Sequence, residues 1–235
     1  IAREVRAIVS ELGWQNVELK LAVDKPGLFE EQGLEEAIEQ LLQVDVPLPS
    51  GGNLIIEQGR TLIAIDVNKG SMQHNGGNDK LHYELNCEAS KVIACQLRLR
   101  NVSGRVIVDF PSMKSIEYRK SLQGLFKLAL KHDSVSHKLL PMYFSGLQEL
   151  TRKRAGHSLQ NLLLRPIGIG GLGQTENDFA IAYRALREVW KTLNQSPKGD
   201  VVMTTSREIA ELLKKSNALS YVEDRIGRAV EFKVE

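Results

Sequence analysis

Two short apolar segments, Leu62-Ile63-Ala64-Ile65-Asp66-Val67-Asn68 and Val106-Ile107-Val108-Asp109-Phe110, flank a stretch with helical periodicity, Tyr83–Arg100. Branched apolar runs this short suggest strands covered on both faces. Two such strands with a helix between them form a crossover unit in an α/β layer. The expected fold class is therefore α/β, a mixed sheet with flanking helices. The composition agrees with this: 42% hydrophobic and 26% charged residues describe an ordinary globular chain and exclude disordered and fibrous classes. No apolar run approaches the roughly 18 residues that a membrane helix needs. Two cysteines cannot build a disulfide scaffold, and they suit a reducing compartment, the cytoplasm.

Other elements follow from local patterns. Residues 2–12 read as a helix ended by Gly13, and Val17–Val23 alternates like a strand. Pro26–Gly27 is a turn, and Leu34–Leu42 a second helix with Leu34, Ala37, Ile38, Leu41 and Leu42 on one face. Asn53–Glu57 and Thr61–Val67 form a hairpin around Gln58–Gly59. Residues 68–80 are polar and read as a mobile loop, and Leu122–Leu130 is a further helix. The glycine-rich run at 165–173 reads as a linker, followed by a small α/β unit from Phe179 to Val234.

Net charge is only +2, but it is segregated. Residues 91–165 carry 14 Lys/Arg against 4 Asp/Glu, whereas residues 1–50 carry 4 against 10. A basic block of this size suits a polyanion, because Lys and Arg neutralise phosphates and release counterions. A set of solvated helix faces explains it equally well. The aromatics of the block, Phe110, Tyr118, Phe126, Tyr143 and Phe144, are too scattered in sequence to define a stacking platform.

The candidate chemistry lies in Asp66 and Asp109, each at the end of an apolar strand. A carboxylate buried there is costly unless it is paired or binds a cation. If the strands are neighbours, the two carboxylates converge at one edge of the sheet, where α/β folds place their sites. Two carboxylates with waters completing an octahedron suit Mg²⁺ at roughly 2.0–2.1 Å. Asn68, two residues after Asp66, lies on the same face of an extended chain and is placed to hold a phosphate oxygen or a water. The alternative is that each aspartate caps the loop or helix that follows it, a common use of strand-end Asp. The five histidines are dispersed, and Cys87 and Cys95 are too far apart on one helix to chelate a metal. Thr151-Arg152-Lys153-Arg154 is a compact basic cluster.

Taken in order, several segments resemble the catalytic core of the ribonuclease E/G family. They are Leu48-Pro49-Ser50-Gly51-Gly52-Asn53-Leu54-Ile55-Ile56-Glu57, Ala64-Ile65-Asp66-Val67-Asn68 and Asn86-Cys87-Glu88-Ala89. Gln96-Leu97-Arg98-Leu99-Arg100-Asn101, Gly104 to Asp109-Phe110, and Leu147-Gln148-Glu149-Leu150-Thr151-Arg152-Lys153-Arg154 continue the match. The resemblance implies a ribonuclease-H-like part at 1–50, a DNase I-like catalytic subdomain at 51–165, a linker at 166–174 and a small C-terminal domain at 175–235. It also implies that Asp66 and Asp109 bind the metal and that Asn68 orients the phosphate. The activity implied is Mg²⁺-dependent cleavage of single-stranded, A/U-rich RNA, with Mn²⁺ an admissible substitute. The products carry 5′-phosphates, and the setting is RNA processing or decay. Arg98, Arg100, Arg152, Lys153 and Arg154 would hold the RNA backbone.

The departures are specific. The family's oligonucleotide-binding barrel and 5′-monophosphate sensor lie upstream of the region matching residue 1. Its zinc-link Cys-Pro-x-Cys corresponds to Arg165-Pro166-Ile167-Gly168, so no zinc is expected and an oligomer, if formed, is not zinc-linked. Ser112, Ser134-Val135-Ser136 and Pro141-Met142-Tyr143-Phe144-Ser145-Gly146 stand where acidic, basic and basic–aromatic residues are usual. These changes leave a second reading, an RNA-binding or assembly factor on the same fold with little or no turnover.

Overall fold

The computed structural model describes residues 2–19, 28–70, 77–167, 173–195 and 199–234. They group into two compact units, Ile1–Glu35 with Ile181–Glu235, and Glu36–Ala180.

The larger unit is built on a six-stranded mixed sheet. Its strands are β1 (Asp45–Pro47), β2 (Asn53–Gln58), β3 (Ile63–Asn68), β4 (Gly104–Asp109), β5 (His137–Leu139) and β6 (Leu147–Arg152), in the order β1-β2-β3-β4-β6-β5. β3 and β4 are parallel and all other neighbours antiparallel. The parallel pair is joined by the crossover helix α4 (Asn78–Leu99), and α5 (Ile116–Leu130) packs beside it. α4 starts five residues earlier than its apolar periodicity indicates. α5 starts at Ile116 because the Ser115 side chain accepts a hydrogen bond from the Tyr118 N–H, satisfying one orphan donor of the first turn.

The core lies between the helices and one face of this sheet. Leu85, Ala89, Ile93 and Leu97 of α4 and Leu122, Phe126 and Leu130 of α5 meet Leu54, Ile56, Ile63, Ile65, Val106, Val108 and Leu150. Phe110 and Phe126 pack edge to face at 6.1 Å between centroids. The other sheet face is not covered as the apolar runs suggest. Ala64, Asp66, Arg105 and Asp109 are exposed, so burial along β3 alternates with period two.

The unit ends in α6 (Leu159–Leu163) and a hairpin of β7 (Leu164–Ile167) and β8 (Gly173–Glu176), whose connecting residues 168–172 lie outside the described residues. Strand pairing thus begins within the glycine-rich stretch that reads as a linker.

The second unit contains α1 (Ala2–Glu11), α2 (Leu28–Glu31), most of α7 (Asp178–Gln195), α8 (Arg207–Lys214) and α9 (Asn217–Ile226), with β9 (Val201–Thr205) parallel to β10 (Val230–Val234). α3 (Leu34–Leu42) crosses the boundary between the units. The core of the second unit gathers Ala182, Leu186, Val201, Met203, Leu213, Leu219 and Val222. Val17–Leu19 form no strand, and the rest of that expected strand and the Pro26–Gly27 turn lie outside the described residues.

Candidate active site

The parallel pairing of β3 and β4 sets Asp66 in register with Asp109 at the C-terminal ends of both strands. Neighbouring strands are about 4.8 Å apart, so the two carboxylates share one spot on the open sheet face. Ile65 and Val108, one residue earlier, both point into the core and fix this register through the side-chain alternation. The Asn68 amide Nδ2 donates to Asp66 Oδ2 at 2.9 Å, which ties the third predicted residue to the pair. Both aspartates are exposed, which corrects the expectation of buried carboxylates. Desolvation does not force a ligand here; the convergence of the two carboxylates favours one.

The loops around this edge are held by the first turns of α4. Asp79 accepts from the backbone N–H of Lys114 at 2.6 Å and of Ser115 at 3.1 Å, and the Lys114 bond leads the causes that hold its carboxyl below the usual range. His82 Nδ1 donates to the Ser112 carbonyl at 2.8 Å, and Asn86 Nδ2 to the Pro111 carbonyl at 2.9 Å. On the other flank Glu88 accepts from the Ser50 N–H at 3.2 Å and pairs with its hydroxyl. The Asn86 and Glu88 positions of the family motif therefore clamp the Pro111 and Ser50 loops beside the carboxylates. Gly52 is required because a Cβ there would stand 2.7 Å from the Asn68 carbonyl oxygen.

The turn before β6 is fixed equally tightly. Gly146 has φ +102°, its carbonyl accepts from the N–H of Phe110 at 3.4 Å, and a Cβ on it would lie 2.2 Å from the Phe110 carbonyl oxygen. Gly146→Ala is expected to lower stability by at least about 1–2 kcal/mol, the cost of the left-handed backbone alone. A thermal melt checks it, and an unchanged midpoint contradicts it.

The five basic residues expected to hold RNA do not gather at this site. Arg152 faces the core at 3% exposure, with Nε 2.7 Å from Asp133 Oδ2, one terminal nitrogen 3.1 Å from Asp133 Oδ1, and the other 2.7 Å from the Val102 carbonyl. Burial pushes the Asp133 carboxyl up, but the Arg152 hydrogen bonds and charge and the Val135 N–H outweigh it and leave it lowered. Arg100 is also buried, donates from Nε to Gln96 Oε1 at 2.8 Å, and is lowered by desolvation. Neither guanidinium is on the surface, which corrects their assignment as RNA contacts. Lys153 and Arg154 are exposed, and Arg98 is half-buried in a groove between α4 and α5 with Lys91, Leu125, Leu128, Ala129 and His132. Arg152 opposes Gly104, the first residue of β4. Arg152 is therefore about 17 Å along the strand from Asp109, and Lys153 and Arg154 follow it.

The donor set around Asp66 and Asp109 consists of oxygen atoms only. Among the described residues no three His, Cys, Asp or Glu side chains form a metal group. A pair of carboxylates open to water matches a cation that keeps several waters, as Mg²⁺ does, and lacks the soft ligands of a zinc site. Asp45 was not singled out from the sequence. It pairs with Ile55, which pairs with Asp66, so it adds a carboxylate to the same level of the open face, two strands away. Its place in β1 is hidden because that strand is three residues long and ends in Pro47.

Comparison with known proteins agrees with the resemblance. The Ribonuclease E/G family profile matches residues 1–155. Ribonuclease G of Salmonella typhimurium is 31% identical over 211 residues, which are 88% of this chain and 43% of that protein. Ribonuclease G of Escherichia coli is 30% identical over 211 residues, with the same coverage. Ribonuclease E of Nostoc sp. is 38% identical over 153 residues, 65% of this chain and 22% of that protein. The chain thus spans less than half the length of these relatives. With the family profile matched over most of the chain, it belongs to the ribonuclease E/G family.

Proposed function

We propose that the chain carries the catalytic carboxylates of an endoribonuclease that cuts single-stranded, A/U-rich RNA in RNA processing or decay, in the cytoplasm. The observation that supports this most is the register of Asp66 with Asp109, with Asn68 bonded to the pair. Asp66 and Asp109 would hold Mg²⁺, with Mn²⁺ an admissible substitute. When bound, such an ion neutralises charge on the phosphate and activates a water. Asn68 uses one amide hydrogen on Asp66, and its second hydrogen is the donor for a phosphate oxygen. The cut leaves a 5′-phosphate on the downstream product. Lys153, Arg154 and Arg98 would meet the RNA backbone away from the scissile bond, setting register rather than sequence.

The test is an end-labelled A/U-rich RNA incubated with the protein in Mg²⁺ and in EDTA. Internal cuts that need Mg²⁺ and leave 5′-phosphates are expected. RNA retained in a gel shift, with no cuts in Mg²⁺, would instead establish the binding-factor reading.

A further inference from the structure

The turn that precedes β6 brings together residues that the sequence keeps apart. Gly146 N–H donates to the Tyr143 carbonyl at 3.1 Å, and Tyr143 N–H donates to the Leu147 carbonyl at 2.9 Å. Phe144 and Ser145 are thus the two central residues of a tight turn, and Phe144 is 74% exposed at its tip. A ring this exposed gains little from burial. It is not left loose, however, because the Arg119 guanidinium sits 4.7 Å from its centroid. Arg119 is itself fixed, donating to the carbonyls of Met113 and of Lys114, the latter at 3.0 Å. Those two carbonyls belong to the loop that Asp79 clamps.

The turn is anchored beside the carboxylates. Leu147 is the register partner of Asp109, and Gly146 bonds to Phe110, the residue after it. From chain spacing and strand spacing, the Phe144 Cα lies within about 15 Å of the Asp109 Cα. Lys114, in the loop before α5, and Arg119, near the start of α5, add positive charge at this end of the sheet, which suits the phosphates flanking a bound base.

We infer that the Phe144 ring, backed by the Arg119 guanidinium, is a stacking platform for one unpaired base of an RNA whose backbone passes the Asp66–Asp109 pair. The inference rests on the nuclease reading for the position of that backbone. One ring face carries the cation, and the other takes the base. Stacking of this kind tolerates any base, because every base has a π-face. It selects single-stranded over double-stranded RNA, since a paired base has no free face to offer. The platform gives the Tyr143-Phe144 sequence, which departs from the family pattern, a role in place of a lost phosphate contact.

The test uses A/U dodecamers carrying one 2-aminopurine at successive positions, titrated in EDTA so that no cutting competes. The expected result is fluorescence quenching centred on one position. Phe144→Ala removes it, Phe144→Trp restores it, and the Ala variant binds about ten- to a hundredfold more weakly. The exposure of Phe144 predicts an unchanged melting midpoint in the Ala variant. Equal affinity and equal quenching in the wild type and Phe144→Ala overturn the platform, whether or not the RNA is cut in Mg²⁺. Phe144-dependent quenching without any cutting in Mg²⁺ keeps the platform and removes the nuclease reading.

Discussion

Asp109→Asn is expected to lower the rate of RNA cleavage by about a thousandfold or more while leaving RNA affinity within a few-fold. The amide is nearly isosteric but carries no charge, so it weakens the hold on a divalent cation. The charge stabilisation such an ion supplies is several kcal/mol, which converts to that rate factor. Asp66→Asn is expected to behave alike, and the double variant to be little worse than either single one, since both act through one bound ion. Gel-shift affinity in EDTA, set beside single-turnover cleavage in Mg²⁺, separates chemistry from binding. A variant that cuts at the wild-type rate places the chemistry elsewhere. Because Asp109 is exposed, its change should not move the melting midpoint, and a large shift would make a rate loss uninformative.

The second large effect concerns stability. Arg152→Met is expected to cost about 3–5 kcal/mol, because it leaves the Asp133 carboxylate buried without its partner. Asp133 is 1% exposed at its side chain and receives two Arg152 nitrogens. The same pair predicts a pH dependence. The Asp133 carboxyl is lowered in the folded protein, so it binds fewer protons there than in the unfolded chain. Its contribution is fully present above the unfolded carboxylate value of about 3.9 and is lost as pH falls through the lower folded value. Urea unfolding of the wild type and of the doubly substituted Arg152→Met, Asp133→Leu chain resolves this. The double change is expected to recover much of the lost stability and to flatten the acid limb. A single Arg152→Met chain as stable as the wild type contradicts the account.

These two sites differ in how far the sequence revealed them. β3, α4 and β4 were legible because their core positions are apolar and branched, and the crossover rule makes two such strands parallel. Only the register remained to be supplied, and it places Asp66 opposite Asp109. β6 was not legible. Two of its three buried positions are Gln148 and Arg152, so its inward face does not look apolar. Charged residues are almost never fully buried unless paired, and Asp133 is 19 residues away in sequence, so nothing local marked the pair. Arg152 therefore read as part of a surface cluster with Lys153 and Arg154. Arg119 and Phe144 are likewise 25 residues apart and meet only through the Gly146 turn, which hid their pairing.

The measurement that bears most directly on the central claim is a Mn²⁺ titration of the protein alone, followed by the electron paramagnetic resonance of the free ion. One Mn²⁺ per chain, displaced by Mg²⁺ and lost in both Asp66→Asn and Asp109→Asn, is the predicted result. Binding that survives in both variants, or none in a wild-type protein that nevertheless cuts RNA, contradicts the carboxylate pair as the metal site.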